Sequence, residues 1–272
     1  MPDATAARPI GFGALLAEQL RWFWRRLRVW ILVVTVLVAG AVSWIIAVIP
    51  ERELRMGNLV FGSALHPLLL LIALSWAFSA WRDDPPKDRQ YFWLHPVSRT
   101  KHTVARTLSG ALWLLAVLAL IVIAVLGTSF LVHGSDGPFG TPRFWLYVGT
   151  AICIAYLMAS IAPVLSDRPG MWLFGLIAIV ILAEIVAAIR EIEWLQRVVQ
   201  VFRGGAYSLG AALTAPTAEA MRLFRGEPAA GSMADPTMAE AAATAEPGAA
   251  LLIWLPIAVV LYLVAARESR PR

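Results

Sequence analysis

The chain has 272 residues, 59% of them hydrophobic and 15% charged, with a mean hydropathy of +0.70 and a formal net charge of +5. Soluble domains are usually about 45–50% apolar and about 25% charged, so this balance points to a membrane protein. The apolar residues form continuous runs rather than a period-two alternation, which excludes a β-barrel and leaves an all-α polytopic fold.

Residues 1–28 precede the first apolar run, at 29–49. A cleavable signal has an apolar core of about 7–15 residues close to the start, so the expected reading is a retained cytoplasmic leader. Within it Phe12, Leu16, Leu20, Phe23 and Leu27 recur at three- and four-residue steps. Glu18, Arg21, Arg25 and Arg28 form a second stripe, and Trp22, Trp24 and Trp30 add interface-seeking aromatics. The pattern predicts an amphipathic helix in the plane of the headgroups, running into the first span.

The second apolar run covers 59–81. It contains His66-Pro67, which suggests a kink with His66 bonding in the bundle interior. The run ends at WRDDPPKD, where Pro85 and Pro86 stop a helix. Asp83 and Asp84 read as a solvated turn beside Arg82, Lys87 and Arg89 rather than as an acid–base pair. The loop at 82–107 then carries Tyr91, Phe92 and Trp93, and Ser98 is a plausible N-cap for a helix entering the third run, 108–132.

The fourth run, 144–165, has Ala151, Ala155 and Ala159 in a small-residue stripe suited to close helix packing, and it holds Cys153, the single cysteine. In the fifth run, 171–189, Glu184 is the one acid inside a span. Such a group is a functional candidate, or a carboxylate that snorkels towards Arg190. The segment 190–248 reads as extracytoplasmic. Gly204 and Gly205 are expected to break it into two short helices at the outer interface, followed by a flexible stretch at 226–248. The sixth run is 249–266. Each run is long enough to cross about 30 Å of hydrocarbon as a helix.

Basic residues set the orientation. They cluster in the leader (Arg8, Arg21, Arg25, Arg26, Arg28), in the loop at 82–107, and in the tail (Arg267, Arg270, Arg272), with few in the short loops opposite. Both termini and the 82–107 loop are therefore expected in the cytoplasm, with the chain in the cell membrane and in contact with its lipid. The same spread argues against a nucleic-acid partner.

Catalytic patterns are missing. The only lysines, Lys87 and Lys101, do not follow a glycine, so no Walker A cradle exists. There is no H-E-x-x-H, and His66, His95, His102 and His133 have no ligand partner at metal spacing. GAYSLG around Ser208 has Ala206 where a nucleophile elbow needs glycine. The chain is read as no enzyme, with no catalytic, cofactor or metal residues of its own.

The stretch FWLHPVSRTKHTVARTLSG and the six-run plan together resemble the ABC-2 type transporter permeases, the membrane subunits of ABC exporters. In many of them a cytoplasmic loop between the second and third spans reads roughly Leu-Pro-Val-Ser-Arg. Here Leu94, Pro96, Val97, Ser98 and Arg99 match, with His95 inserted. The resemblance implies docking on a separate ABC ATPase subunit that holds ATP and Mg, and pairing with a second permease subunit, identical or related. It implies export of a hydrophobic or amphipathic substrate. Tyr91, Phe92 and Trp93 would fill a groove on the ATPase, while Arg89, Arg99 and Lys101 would pair with its acids. The same basic residues also suit anionic lipid. The alternative, from another class, is a polytopic protein that does not transport, such as a sensor or assembly factor.

Overall fold

The computed structural model describes residues 11–48, 64–82, 98–134, 142–165, 178–179, 181–183, 186, 193–225 and 247–268. These residues are all helical apart from short caps. Six long helices stand in the order α1 (Phe12–Val48), α2 (His66–Arg82), α3 (Arg99–His133), α4 (Pro142–Leu165), α5 (Glu193–Arg225) and α6 (Pro247–Glu268). Among the described residues, four segments are long and apolar enough to cross a membrane: Phe12–Val48, Thr100–His133, Arg143–Leu165 and Gly248–Arg267. The apolar part of α2, His66–Trp81, is shorter. Of the fifth predicted span only a few helical positions lie within the described residues, and Glu184 lies outside them.

Side-chain bonds fix the directions. Trp113 Nε1 donates to the Leu20 carbonyl at 3.1 Å, Thr128 Oγ1 to Ser43 Oγ at 2.9 Å, and His133 Nε2 to the Ile46 carbonyl at 3.2 Å. Both sequences advance together along these contacts, so α1 and α3 are parallel neighbours. Tyr156 of α4 bonds near the start of α3, while Gly149 approaches Leu118 further along, so α4 runs the other way. The last turns of α4 and α6 meet Trp81 of α2 and Val104 of α3 in one apolar cluster of Val164, Tyr262, Ala265 and Ala266. Thus α2, α4 and α6 run against α1 and α3. The end where α2 stops and α3 starts is called the loop end below, and its opposite the far end.

The main core joins α1, α2, α3 and α4 through Ile31, Val42, Ile46, Leu69, Trp76, Ile121, Val125, Val148 and Ile152. Alanines make the second core. Ala151 of α4, Ala212 and Ala215 of α5 and Ala258 of α6 are fully buried in it. The small-residue stripe on α4 thus lets helix backbones approach closely.

Three expectations meet the structure. First, the leader helix expected to run into the first span does so without a break: α1 is one helix of 37 residues, passing through Arg28 and Val29. Its buried seam Leu15, Gln19, Phe23, Ile31, Val38, Val42 and Ile46 continues across that point, so packing on α3 carries the helix through. Second, α5 is one helix of 33 residues, not two. Two glycines cost a helix only about 1 kcal/mol each relative to alanine, and burial of the Ala212–Ala220 face outweighs that. Third, His66-Pro67 does not kink α2 but opens it, after a wide turn at Ala64 and Leu65. In the first turn a proline removes no helix bond.

Candidate functional site at the loop end

Ser98 caps α3 as the sequence predicts. Its backbone is extended (φ −64°, ψ 138°) and its hydroxyl accepts from the Lys101 amide at 3.4 Å. Arg99 and Lys101 lie in the first turn, and Lys101 is exposed. Arg89, Tyr91, Phe92, Trp93, Leu94, His95, Pro96 and Val97 lie outside the described residues, as do Asp83 and Asp84.

Where the loop re-enters the bundle, α3 presents Thr103, Arg106, Thr107 and Gly110 at three- and four-residue steps, which puts them on one buried face. Arg106 is 1% exposed. Its Nε donates to the Ala80 carbonyl of α2 at 2.9 Å. Its guanidinium lies over Trp22 of α1 at 4.4 Å and over Trp81 of α2 at 5.1 Å. A desolvated guanidinium gains most from such faces, about 2 kcal/mol or more per ring. The planar, always-charged guanidinium suits this double stack better than a lysine ammonium would.

On the other flank of α3, two tyrosines from different helices grip its backbone. The Tyr156 hydroxyl donates to the Thr107 carbonyl at 3.1 Å. The Tyr262 hydroxyl donates to the Thr103 carbonyl at 3.0 Å and shares a 2.7 Å hydrogen bond with Thr107 Oγ1. Ser109 Oγ donates to the Ala105 carbonyl at 2.7 Å and Ser160 Oγ to that of Tyr156 at 2.7 Å, so these hydroxyls are satisfied within the helices. Gly110 lets the helices meet: a Cβ there would collide with the Tyr156 hydroxyl and come within 3.3 Å of Phe23 Cζ. Five helices, α1, α2, α3, α4 and α6, are therefore tied within about two turns of the loop.

The sequence reading missed this junction because it counted Arg106 among the topology-setting charges. The readable signal was the polar stripe with Gly110, repeating at helical steps just inside an apolar run.

His66 stands at the other end of α2, buried to 1% exposure. Its Nε2 bonds the Leu213 carbonyl of α5 at 2.7 Å, which requires the proton on Nε2. This matches the expected interior bond but makes His66 a helix-to-helix tie, remote from the loop. Nearby, Arg222 clasps Glu219 with Nε at 2.9 Å and Nη2 at 2.6 Å. That clasp holds the Glu219 carboxyl below its ordinary value of 4.5 against the opposing pull of burial, with the charges of Arg222 and Arg143 adding to it. Arg143 Nε donates to the Tyr147 hydroxyl at 2.8 Å, which lies against Gly248. Ser208 accepts from Trp254 Nε1 at 3.0 Å, so it serves as a tie between α5 and α6.

Among the described residues no three His, Cys, Asp or Glu side chains converge as a metal would need. The contacts that Arg106, Tyr156 and Tyr262 make there tie the helices together through rings, hydroxyls and carbonyls. In comparisons with known proteins, no protein family, curated protein or solved structure matches the chain.

Proposed function

We propose that the chain is the membrane subunit of an ATP-driven exporter, of the ABC-2 permease kind that its loop motif and span plan resemble. A separate ATPase subunit binds ATP and Mg, docks on the loop at 82–107, and pushes on it as it closes. Two membrane subunits, identical or related, form the path, and the substrate is hydrophobic or amphipathic. The observation that carries this reading is the junction around Arg106. The helix that leaves the loop at Ser98 is bonded, within three turns, to every other helix that reaches this end in the described structure. A coupling element needs such stiffness, because push on a frayed loop would dissipate before reaching the spans.

Six crossings with both termini in the cytoplasm complete the proposal. α4 ends at the loop end and α6 begins at the far end, so the chain between them changes sides. Residues 171–189 are the apolar segment able to do so.

The test is a gentle detergent pull-down of the tagged protein from its native host, with mass spectrometry of co-purifying chains. A variant with Tyr91, Phe92, Trp93 and Arg99 changed to Ala runs beside it. A stoichiometric Walker-motif ATPase that disappears in the variant is the expected result. An ATPase retained in the variant moves the docking site elsewhere. No ATPase with an intact sample and expressed partners favours a sensor or assembly factor.

A further inference from the structure

Four helices agree on where the apolar layer ends at the loop end, and α1 does not. Trp81, Leu165 and Ala266 end their apolar runs near the level of Val104, and the run on α3 begins at Leu108. On α1 the apolar run begins only at Val29. Yet contacts with α3 fix the register: Leu16 meets Ser109, Leu20 meets Trp113, Trp24 stacks on Trp113 at 5.0 Å, and Ile46 meets His133. By that register Arg21 is level with about residue 114 of α3 and Arg28 with about residue 120. At 1.5 Å per residue these arginines lie roughly 9 to 18 Å inside the apolar boundary that the other helices set.

Arg21, Arg25 and Arg28 recur at four- and three-residue steps on the side of α1 away from its buried seam, and all three are exposed. Arg21 Nε and Arg25 Nε donate to the carbonyls of Ala17 and Arg21. Glu18 is the single acid between Phe12 and Arg28. Immediately beyond them the same side continues with exposed Leu32 and Val36. Three cations cannot sit bare in hydrocarbon, and bilayers respond by local thinning and by drawing in headgroups.

We propose that the bilayer is pinched against the outer side of α1, where Arg21, Arg25 and Arg28 hold the phosphate of an anionic phospholipid whose acyl chains lie along Leu32 and Val36. This inference rests on the membrane-spanning reading of the helices, not on the transport role. It is therefore tested on the isolated chain, where its failure leaves the ATPase question untouched.

The experiment is native mass spectrometry of the purified full chain with added phosphatidylglycerol or phosphatidylcholine. The wild type is expected to retain the anionic lipid at least about tenfold better, since each basic residue near a lipid surface adds materially to binding. R21Q/R25Q/R28Q loses the preference, R21K/R25K/R28K keeps most of it, and R197Q/R203Q on α5 leaves it unchanged. On the unaltered protein, a photoactivatable phosphatidylglycerol is expected to label peptides of Phe12–Val48. No preference in the wild type, full retention in the glutamine triple, or labels confined to other helices overturns the proposal.

Discussion

At the loop end Arg106 lies over two indole rings and two tyrosines grip the α3 backbone, whereas at the far end a carboxylate, Glu219, is clasped by Arg222 in the field of Arg143. The first arrangement uses groups that keep one charge state across the physiological range: a guanidinium, hydroxyls, carbonyls and rings. The second contains an acid whose ionised form is the bonded one. The Arg106 and tyrosine contacts therefore do not depend on a titrating group in that range, while the Glu219 clasp, held by charge, can loosen in acid. Substitutions at the two ends separate these behaviours.

The largest effect is expected from Gly110→Leu. Its side chain would have to occupy the space of the Tyr156 hydroxyl and Phe23, and overpacking of this kind costs roughly 3 kcal/mol. Loss of monodisperse protein on fluorescence-detected size exclusion checks it. Gly248→Leu at the far end meets one tyrosine, Tyr147, at the first turn of α6, and is expected to be milder. Next, Arg106→Ala removes both ring contacts and the bond to Ala80. About 2 kcal/mol of stability against denaturing detergent is expected to go, since relief of the buried charge offsets part of the lost contacts. Arg106→Lys restores only part of it, because an ammonium lacks the planar faces.

Smaller losses, about 1 kcal/mol each, are expected for Tyr156→Phe and Tyr262→Phe in the same detergent titration. Both hydroxyls bond Thr107, so the double variant should depart from the sum of the singles.

The smallest effect separates the two ends by pH. The folded-state value of Glu219 is depressed, so its contribution is fully present above the ordinary value of 4.5 and is lost as pH falls through the lower folded value. Unfolding midpoints of the wild type should therefore fall, as pH drops below the ordinary value of 4.5, by an increment that Glu219→Gln lacks. Arg106→Ala should retain that increment, since the Glu219 shift arises from Arg222 and Arg143.

Much of the helical layout was legible from residues alone. Continuous apolar runs place α3, α4 and α6 close to where they lie, and Ser98 caps α3 as its position before Arg99 suggests. The failures have physical causes. A glycine pair reads as a break, but Gly204 and Gly205 lie in a helix whose later face is buried by α4 and α6, and local propensity yields to packing. Arg106 reads as one more positive-inside residue, because nothing adjacent in sequence reveals Trp22 and Trp81 against it.

In the proposed transporter, the Arg106 junction carries motion from the loop into the helices. The most direct measurement compares wild type and Arg106→Gln, each in lipid nanodiscs with the ATPase that co-purifies, for subunit stoichiometry and for ATP hydrolysis per complex. Equal stoichiometry with hydrolysis altered about tenfold or more is the expected result, placing Arg106 in transmission rather than in docking. Unchanged stoichiometry with unchanged hydrolysis would contradict the account.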